Sequence, residues 1–153
     1  MYLPQLEIPH VFISGHVSSF KNSKQFIRLK NGQTRLVPSK AWNKYMKNYS
    51  WQFKDYKYKK KFKSLFKEES LPLQVGFYFI RSRNQVFDFH NICAGILDLM
   101  QDHRWIDDDN IDNILPYPLL IEDKYWHKDA SNPGVIITNF KTNNQWIQQL
   151  KIN

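Results

Sequence analysis

One stretch, residues 86–111, limits what this chain can fold into because acidic side chains lie at both ends of an apolar helical pattern. Asp88 closes an apolar run, and a helical period follows from Asn91 to Arg104. The pattern predicts a helix about 18 Å long, at 1.5 Å rise per residue, with one buried stripe. The members of that stripe are Ile92, Cys93, Ile96, Leu97, Leu99 and Met100.

A triple acid, residues 107–109, follows this helix directly. We expect the apolar pair Trp105-Ile106 to turn the chain back, so that these acids approach Asp88. Carboxylates held close together repel each other unless they are protonated or bridged by a cation. Mg²⁺ is the usual bridge, because it binds one or two carboxylates and keeps waters for chemistry. The pattern therefore predicts a magnesium site.

Simpler interpretations of the same side chains stay open. Asp88 precedes a helix and fits an N-cap, and the triple acid fits a solvated turn. His90 shares the side of Asp88 if the chain stays extended, as a metal ligand or in a capping or packing role. An EF-hand is excluded, because the run DDDNIDN has no glycine at the sixth position of any register. Phosphate-cradling glycine loops, GxSxG and HExxH motifs do not occur.

The net charge of +8 is unevenly spread. Residues 1–67 hold fifteen Lys or Arg against two acids, whereas residues 88–129 hold ten acids against three bases. The charge of the first region favours binding of a polyanion, and the charge of the second favours binding of a cation. A basic surface that neutralises several phosphates binds nucleic acid in a sequence-independent, salt-sensitive way. A solvated, lysine-rich surface is the alternative interpretation.

Length and composition predict one domain, residues 1–153, with an aromatic-rich core. The single cysteine, Cys93, forms no internal disulfide and excludes a CxxC zinc ribbon. The sequence has no apolar run long enough for a membrane span and no signal pattern at its beginning. We therefore expect a soluble, cytoplasmic protein.

Shorter patterns predict the other elements. Residues 71–81 form the clearest strand, because apolar residues alternate along it. Asn31-Gly32 predicts a tight type I′ hairpin turn between strands 26–29 and 33–37. Ser39 is the predicted N-cap of a helix that runs to residue 56 with an aromatic stripe facing the core. The remaining predictions are strands at 6–14, 86–88, 111–121 and 134–140, loops at 15–22 and 122–133, a basic amphipathic helix or connection at 57–67, and a short helix in the tail.

Four segments, in order, resemble the RusA-type Holliday junction resolvases, which are common in phages and prophages. IPHVFISGHVSSFKNSKQF resembles the family's strand and small-residue loop, PSKAWNKYMK its helix start, FDFHNICAGILDLMQDHRWIDDDNI its acidic core, and NPGVIITNF its closing strand. The resemblance implies an α/β (α+β) domain, a small mixed sheet with two or three helices packed on it. It also implies a homodimer that makes paired, symmetric incisions in four-way DNA junctions during recombination and repair, in the bacterial host cytoplasm if a phage encodes it.

The resemblance implies a metal site as well. Asp88 and Asn91 match the family's Asp-x-Asp-Asn element, and Asp108-Asp109 match its later acidic pair, which together bind magnesium. His90 stands where the family has its second Asp, a change that weakens magnesium relative to manganese. Ala94 stands where the family has a Lys that steadies the scissile phosphate.

The expected catalytic residues are thus Asp88, Asp108 and Asp109, with His90 as a further metal ligand. The expected DNA-binding residues are Lys21, Asn22, Lys24, Arg28, Arg35, Lys40, Arg81 and Arg83. Arg81, Arg83 or Lys24 are the candidates to replace the missing Lys. Two alternatives to an endonuclease remain: a catalytically weak or inactive junction-binding protein of the same fold, and an interaction protein whose basic surface binds another acidic partner.

Overall fold

The computed structural model describes residues 8–19 and 24–143 and shows a mixed α+β fold. Strands β1, β7, β4 and β5 lie side by side in that order, with β6 also paired to β4, while β2 and β3 form a separate hairpin. The strands are β1 (Val11–Ser14), β2 (Lys24–Arg28), β3 (Thr34–Pro38), β4 (Leu73–Arg81), β5 (Ile114–Pro118), β6 (Trp126–Lys128) and β7 (Gly134–Asn139). The predicted small mixed sheet is confirmed, with two antiparallel and two parallel pairings.

β4 is the central strand, and every residue from Val75 to Arg81 is buried. The apolar alternation correctly predicts the strand. Its two edges pair with β7 and with β5 and β6, and both of its faces are covered by packed side chains. Phe77 and Phe79 pack into the main core, whereas Tyr78 and Ile80 pack into a smaller cluster. A strand at the middle of a sheet is apolar on both faces for this reason.

The helices are α1 (Lys40–Tyr49), α2 (Trp51–Lys54), α3 (Tyr56–Leu65), α4 (Phe89–Asp102) and α5 (Phe140–Asn143). Ser39 caps α1 as predicted, with its Oγ accepting from Trp42 N at 3.2 Å. The single helix predicted for residues 39–56 is wrong. The observed helix, α1, ends at Tyr49. After the short helix α2, Asp55 caps α3 by accepting a hydrogen bond from Lys57 N at 2.9 Å. A local cap therefore outweighs the continuous aromatic period.

A cluster of aromatic side chains lies within the otherwise largely aliphatic main core. Trp105 is fully buried, and its ring centroid lies 5.3 Å from that of Phe53 and 5.4 Å from that of Phe62. Its Nε1 donates to Phe53 O at 2.9 Å, which satisfies the one polar atom of the indole. Trp105, from the apolar pair predicted to turn the chain back after α4, is thus a core residue that connects the end of α4 to α2.

α4 connects two parallel strands. It has 14 residues, or about 21 Å at 1.5 Å per residue, and its predicted apolar stripe is buried. β4 leads into α4, and β5 follows it and pairs parallel to β4, with Leu73 opposite Ile114. A connection between parallel strands must return to the end at which the first strand began. The N-terminus of α4 and the loop after α4 therefore lie at opposite ends of this unit.

Several other predictions are corrected or left open. Lys30, Asn31 and Gly32 form a three-residue loop, with Gly32 at φ 83, rather than a two-residue type I′ turn. Residues 86–88 do not form a strand, and β6 lies inside the predicted loop 122–133. Most of the predicted tail helix lies outside the described residues. None of the helices seen in the described ranges has the length and apolarity to cross a membrane.

Candidate nucleic-acid and metal site

A cleft of about 420 Å³ opens where β4 ends and α4 begins. Three segments that are distant in sequence line it: the loop after β1, the start of α1, and the connection from β4 to α4. The lining residues include His16, Ser18, Ser19, Ala41, Arg81, Arg83, Asp88 and Asn91. This cleft therefore gathers predicted metal-binding and predicted DNA-binding side chains.

Asp88 is the N-cap of α4, as the simpler interpretation of the sequence predicts. Its Oδ1 accepts from His90 N at 2.9 Å and from Asn91 N at 3.2 Å. Within the described chain its second oxygen, Oδ2, accepts no hydrogen bond, and the side chain is exposed. Capping therefore occupies one oxygen and leaves the other available to a cation.

The helix decides which neighbours of Asp88 share the cleft. Because α4 begins at Phe89, the chain is helical from that residue onward, and His90 does not line the cleft. Its ring instead contacts Phe89 edge-to-face, with centroids 5.7 Å apart. Asn91, three positions after the cap, does line the cleft. The expected pairing of Asp88 with His90 is therefore corrected to Asp88 with Asn91.

The triple acid lies at the other end of α4. Asp109 N donates to Gln101 Oε1 at 3.2 Å, near the end of that helix. Asp108 Oδ1 accepts from Asp109 N at 2.8 Å, and its Oδ2 accepts from Asn110 Nδ2 at 3.0 Å. The expected approach of these acids to Asp88 does not occur within one chain, because Asp88 and Gln101 are separated by 13 helical residues, about 20 Å.

The predicted three-carboxylate metal site is thus divided. Across residues 8–19 and 24–143, no three His, Cys, Asp or Glu side chains lie together as a metal-binding group. Asp88 supplies a carboxylate to the cleft lining, and Asn91 and Gln85 each supply an amide oxygen. Mg²⁺ is often bound through one or two carboxylates with its remaining positions filled by water, and these oxygens fit such a partial site.

Arg81 is the central cation of the cleft. It is only 6 % exposed, yet it forms no ion pair with any carboxylate of the described chain. Its Nη1 donates to Val17 O, and its guanidinium carbon lies 4.8 Å from the ring centroid of Phe87. Burial lowers the pKa of Arg81 to about 10, so it remains positively charged at neutral pH. An unpaired buried charge is costly, which makes this guanidinium a candidate anion site.

His16 also lines the cleft, although it belongs to no motif in the sequence. Its Nδ1 lies 3.0 Å from Ser82 N, which donates to it, and 2.8 Å from Ser82 Oγ. Burial, with the nearby charges of Arg81 and Arg83, lowers the pKa of His16 to about 4. His16 is therefore neutral at physiological pH and carries its proton on Nε2. No spacing rule reveals this, because Ser82 lies 66 residues away in the sequence.

Gly15 directs the loop after β1 into the cleft. Its φ is 114°, a conformation that disfavours other residues, and its N donates to Pro133 O at 2.9 Å. A Cβ at this position would lie 2.5 Å from the ring of Tyr49. The small-residue pattern of this loop therefore has a steric cause, and it brings His16 and Ser18 beside Arg81.

The other expected DNA-binding residues that the structure describes lie outside the cleft lining. Arg28 and Arg35 are exposed on the β2–β3 hairpin and, because strand residues alternate, point to opposite faces of it. Lys40 is exposed at the start of α1, next to a residue that lines the cleft. Lys24 begins β2, but its side chain is outside the described set. Lys21 and Asn22 also lie outside the described residues.

Comparisons of the chain with protein-family models, with curated proteins and with solved structures find no match. The role of each residue therefore follows from the geometry of the cleft. Arginine donors are suited to the oxygens of a phosphate, and a free carboxylate oxygen is suited to a divalent cation. Both lie at the same end of α4.

Proposed function

We propose that this protein is a magnesium-dependent, structure-selective endodeoxyribonuclease that acts as a homodimer on four-way DNA junctions. The observation that carries the proposal is the cleft at the start of α4, where Asp88 and Asn91 lie with Arg81 and Arg83. The resemblance of the sequence to RusA-type resolvases supplies the substrate class and the cytoplasmic setting. The exposed basic hairpin and helices supply a surface for the DNA arms.

Each residue of the cleft has a distinct part in this proposal. Asp88 would hold the cation through Oδ2 while its Oδ1 keeps α4 capped. Arg81, fixed by Val17 O and the ring of Phe87, would pair with an oxygen of the scissile phosphate and offset its charge. Arg83 is exposed and would contact a neighbouring phosphate. When bound, magnesium supplies a water of lowered pKa for in-line attack.

Asp108 and Asp109 take part only if a second chain brings them to the cleft. A two-fold axis that sets two copies of α4 antiparallel would place the end of one helix beside the start of the other. Asn91, Ala94, Asp98 and Gln101 lie on a stripe of α4 that the core leaves partly exposed. In the proposed homodimer, Asp88 would therefore share a metal with Asp109 of the partner subunit.

The divided carboxylates also favour a second candidate, a junction-binding protein of the same fold without cleavage. In that case Asp88 acts as a helix cap alone, and the acids after α4 form a solvated turn held by Asn110. The arginines of the cleft would still bind the DNA backbone.

The deciding experiment is cleavage of a synthetic four-way junction with magnesium, with manganese and with EDTA, against a duplex of equal length. The nuclease proposal expects symmetric nicks that require a metal. Junction-selective binding with no nicks under either metal would support the binding protein instead. Equal affinity for junction and duplex, with no cleavage, would favour a protein whose basic surface serves another acidic partner.

Mixing two inactive variants tests whether the site is shared between subunits. If Asp88 and Asp109 of the partner subunit form one site, Asp88→Asn and Asp109→Asn are each inactive alone. A randomly mixed dimer population then regains about a quarter of the sites, because half of the dimers carry one intact site of two. Full activity of Asp109→Asn alone would place that residue outside the site.

A further inference from the structure

Two buried polar atoms in the cleft have no hydrogen-bond partner among the described residues: Ser18 Oγ and Arg81 Nε. Both residues line the same cavity. Buried donors in proteins are nearly always satisfied, so an unsatisfied one needs an explanation. Two together, in the wall of one cleft, point to a ligand that supplies acceptor atoms.

The charge of the cleft indicates the chemical class of ligand that would supply the acceptor atoms. Arg81 has no carboxylate partner in residues 8–19 and 24–143, and Arg83 has none either. A guanidinium has five N–H donors, and among the described residues only Nη1 of Arg81 donates a hydrogen bond, to Val17 O. A ligand that satisfies these donors is therefore an anion that can accept from several donors at once.

His16 adds a third donor. Ser82 N donates to its Nδ1, so the neutral ring has its proton on Nε2. A neutral imidazole in this tautomer cannot accept a proton at Nε2, so His16 is a hydrogen-bond donor here rather than a general base. Burial, together with the positive charges of Arg81 and Arg83, keeps the ring neutral by lowering its pKa.

We propose that His16, Ser18 and Arg81 form a binding site for the non-bridging oxygens of one phosphodiester in a nucleic-acid strand. A phosphodiester has two such oxygens that share one negative charge and carry no proton, which suits a set of donors with one buried cation. This inference rests on the proposed function for the nucleic acid, whereas the anion site itself rests on the unsatisfied donors. His16 and Ser18 are binding residues of this site, additional to the arginines.

Ser18→Ala gives the sharpest test, because the proposal predicts opposite effects on binding and stability. Removing a buried hydroxyl without a partner leaves the Tm unchanged or raises it. The same change weakens binding of a labelled four-way junction in EDTA about tenfold, the usual effect of one lost hydrogen bond to a charged group. Ser70→Ala, at an exposed serine outside the cleft, is the matched control and should change neither the Tm nor the affinity for the junction.

His16→Asn is the second variant. Asn can still accept from Ser82 N through Oδ1, so the loop keeps that bond, but the donor at Nε2 is lost. We expect a loss of junction affinity similar to that of Ser18→Ala. A lower Tm for Ser18→Ala with unchanged affinity in both variants would overturn the proposal, because it would show that the hydroxyl has a structural partner.

Inorganic phosphate separates the two sources of the anion. If it raises the Tm of the wild-type protein but not of Ser18→Ala, while both bind DNA equally, the cleft binds a small phosphate and the nucleic-acid assignment is wrong. Because all binding is measured in EDTA, absence of cleavage does not affect this test. If the wild-type protein binds no DNA, the proposed function fails, and the phosphate experiment still tests the anion site.

Discussion

Asp88 has two roles in the proposed nuclease, and substitution by Asn or by Ala separates them. Its Oδ1 caps α4 through two backbone amides, and its Oδ2 is available to a cation. Asn is as good an N-cap as Asp, whereas Ala removes the cap at a cost of about 1 kcal/mol. For a protein of this size, that cost lowers the Tm by about 2–4 °C.

The expected results differ between the two variants. Asp88→Ala loses both stability and cleavage. Asp88→Asn stays within a few tenths of a kcal/mol of the wild type, the typical contribution of one charge at a helix end. Its cleavage rate falls by more than about 100-fold, because Asp88 would bind the cation directly and the loss of an outer-shell group at a metal site already costs up to about 100-fold. Magnesium also raises the Tm of the wild-type protein but not that of Asp88→Asn.

A second capping aspartate provides the control. Asp55 caps α3 by accepting from Lys57 N at 2.9 Å and does not line the cleft. Asp55→Ala should lower the Tm by a similar amount and leave cleavage per folded molecule unchanged. The reasoning is refuted if Asp88→Asn cleaves as the wild type does and keeps the magnesium-dependent rise in Tm, because Asp88 would then be only a cap.

Three further predictions concern binding and stability. Arg28→Ala and Arg35→Ala on the hairpin should each reduce the slope of log affinity against log salt by about 1, measured by fluorescence anisotropy at several salt concentrations. The folded His16 has a pKa of about 4 against 6.5 in the unfolded chain, so its contribution to stability is lost as pH falls through this window. His16→Asn should flatten that part of a Tm profile, and an unchanged slope would contradict the assigned burial. Trp105→Ala should cost about 3–5 kcal/mol in urea unfolding, whereas Trp105→Phe, which leaves Phe53 O without its donor, should cost about 1–3 kcal/mol.

The sequence predicts elements whose signal is local. The stripe of α4 is buried from Ile92 to Met100 because three-and-four spacing puts those side chains on one face. Ser39 caps α1 for an equally local reason, as an oxygen two to three residues before free backbone amides. The sequence does not predict the break in the helix before Asp55, because two local signals compete there: a capping side chain and a continuing aromatic period. Periodicity alone does not rank them.

The parts that were missed depend on pairing between distant segments. Whether the strand after α4 pairs parallel or antiparallel to β4 is not encoded in its own pattern, and this choice sets which end of α4 the acids occupy. The cleft likewise depends on contacts between Val17 or His16 and residues more than 60 positions away. An isolated histidine and a serine in a loop carry no sequence signal for a contact of that kind.

The separation of charges along α4 bears directly on how DNA would bind. The arginine cleft lies at the start of the helix, and the acids of residues 107–109 lie beyond its end, about 20 Å away. In a single chain those acids repel phosphates, and they make no favourable contact with DNA that is bound at the cleft. In an antiparallel pair the same acids would lie beside the cleft of the other subunit, where a shared cation offsets their repulsion. The placement that divides the predicted metal site in one chain is therefore the placement that would complete two sites in a dimer, which makes the variant-mixing experiment decisive for the role of Asp109.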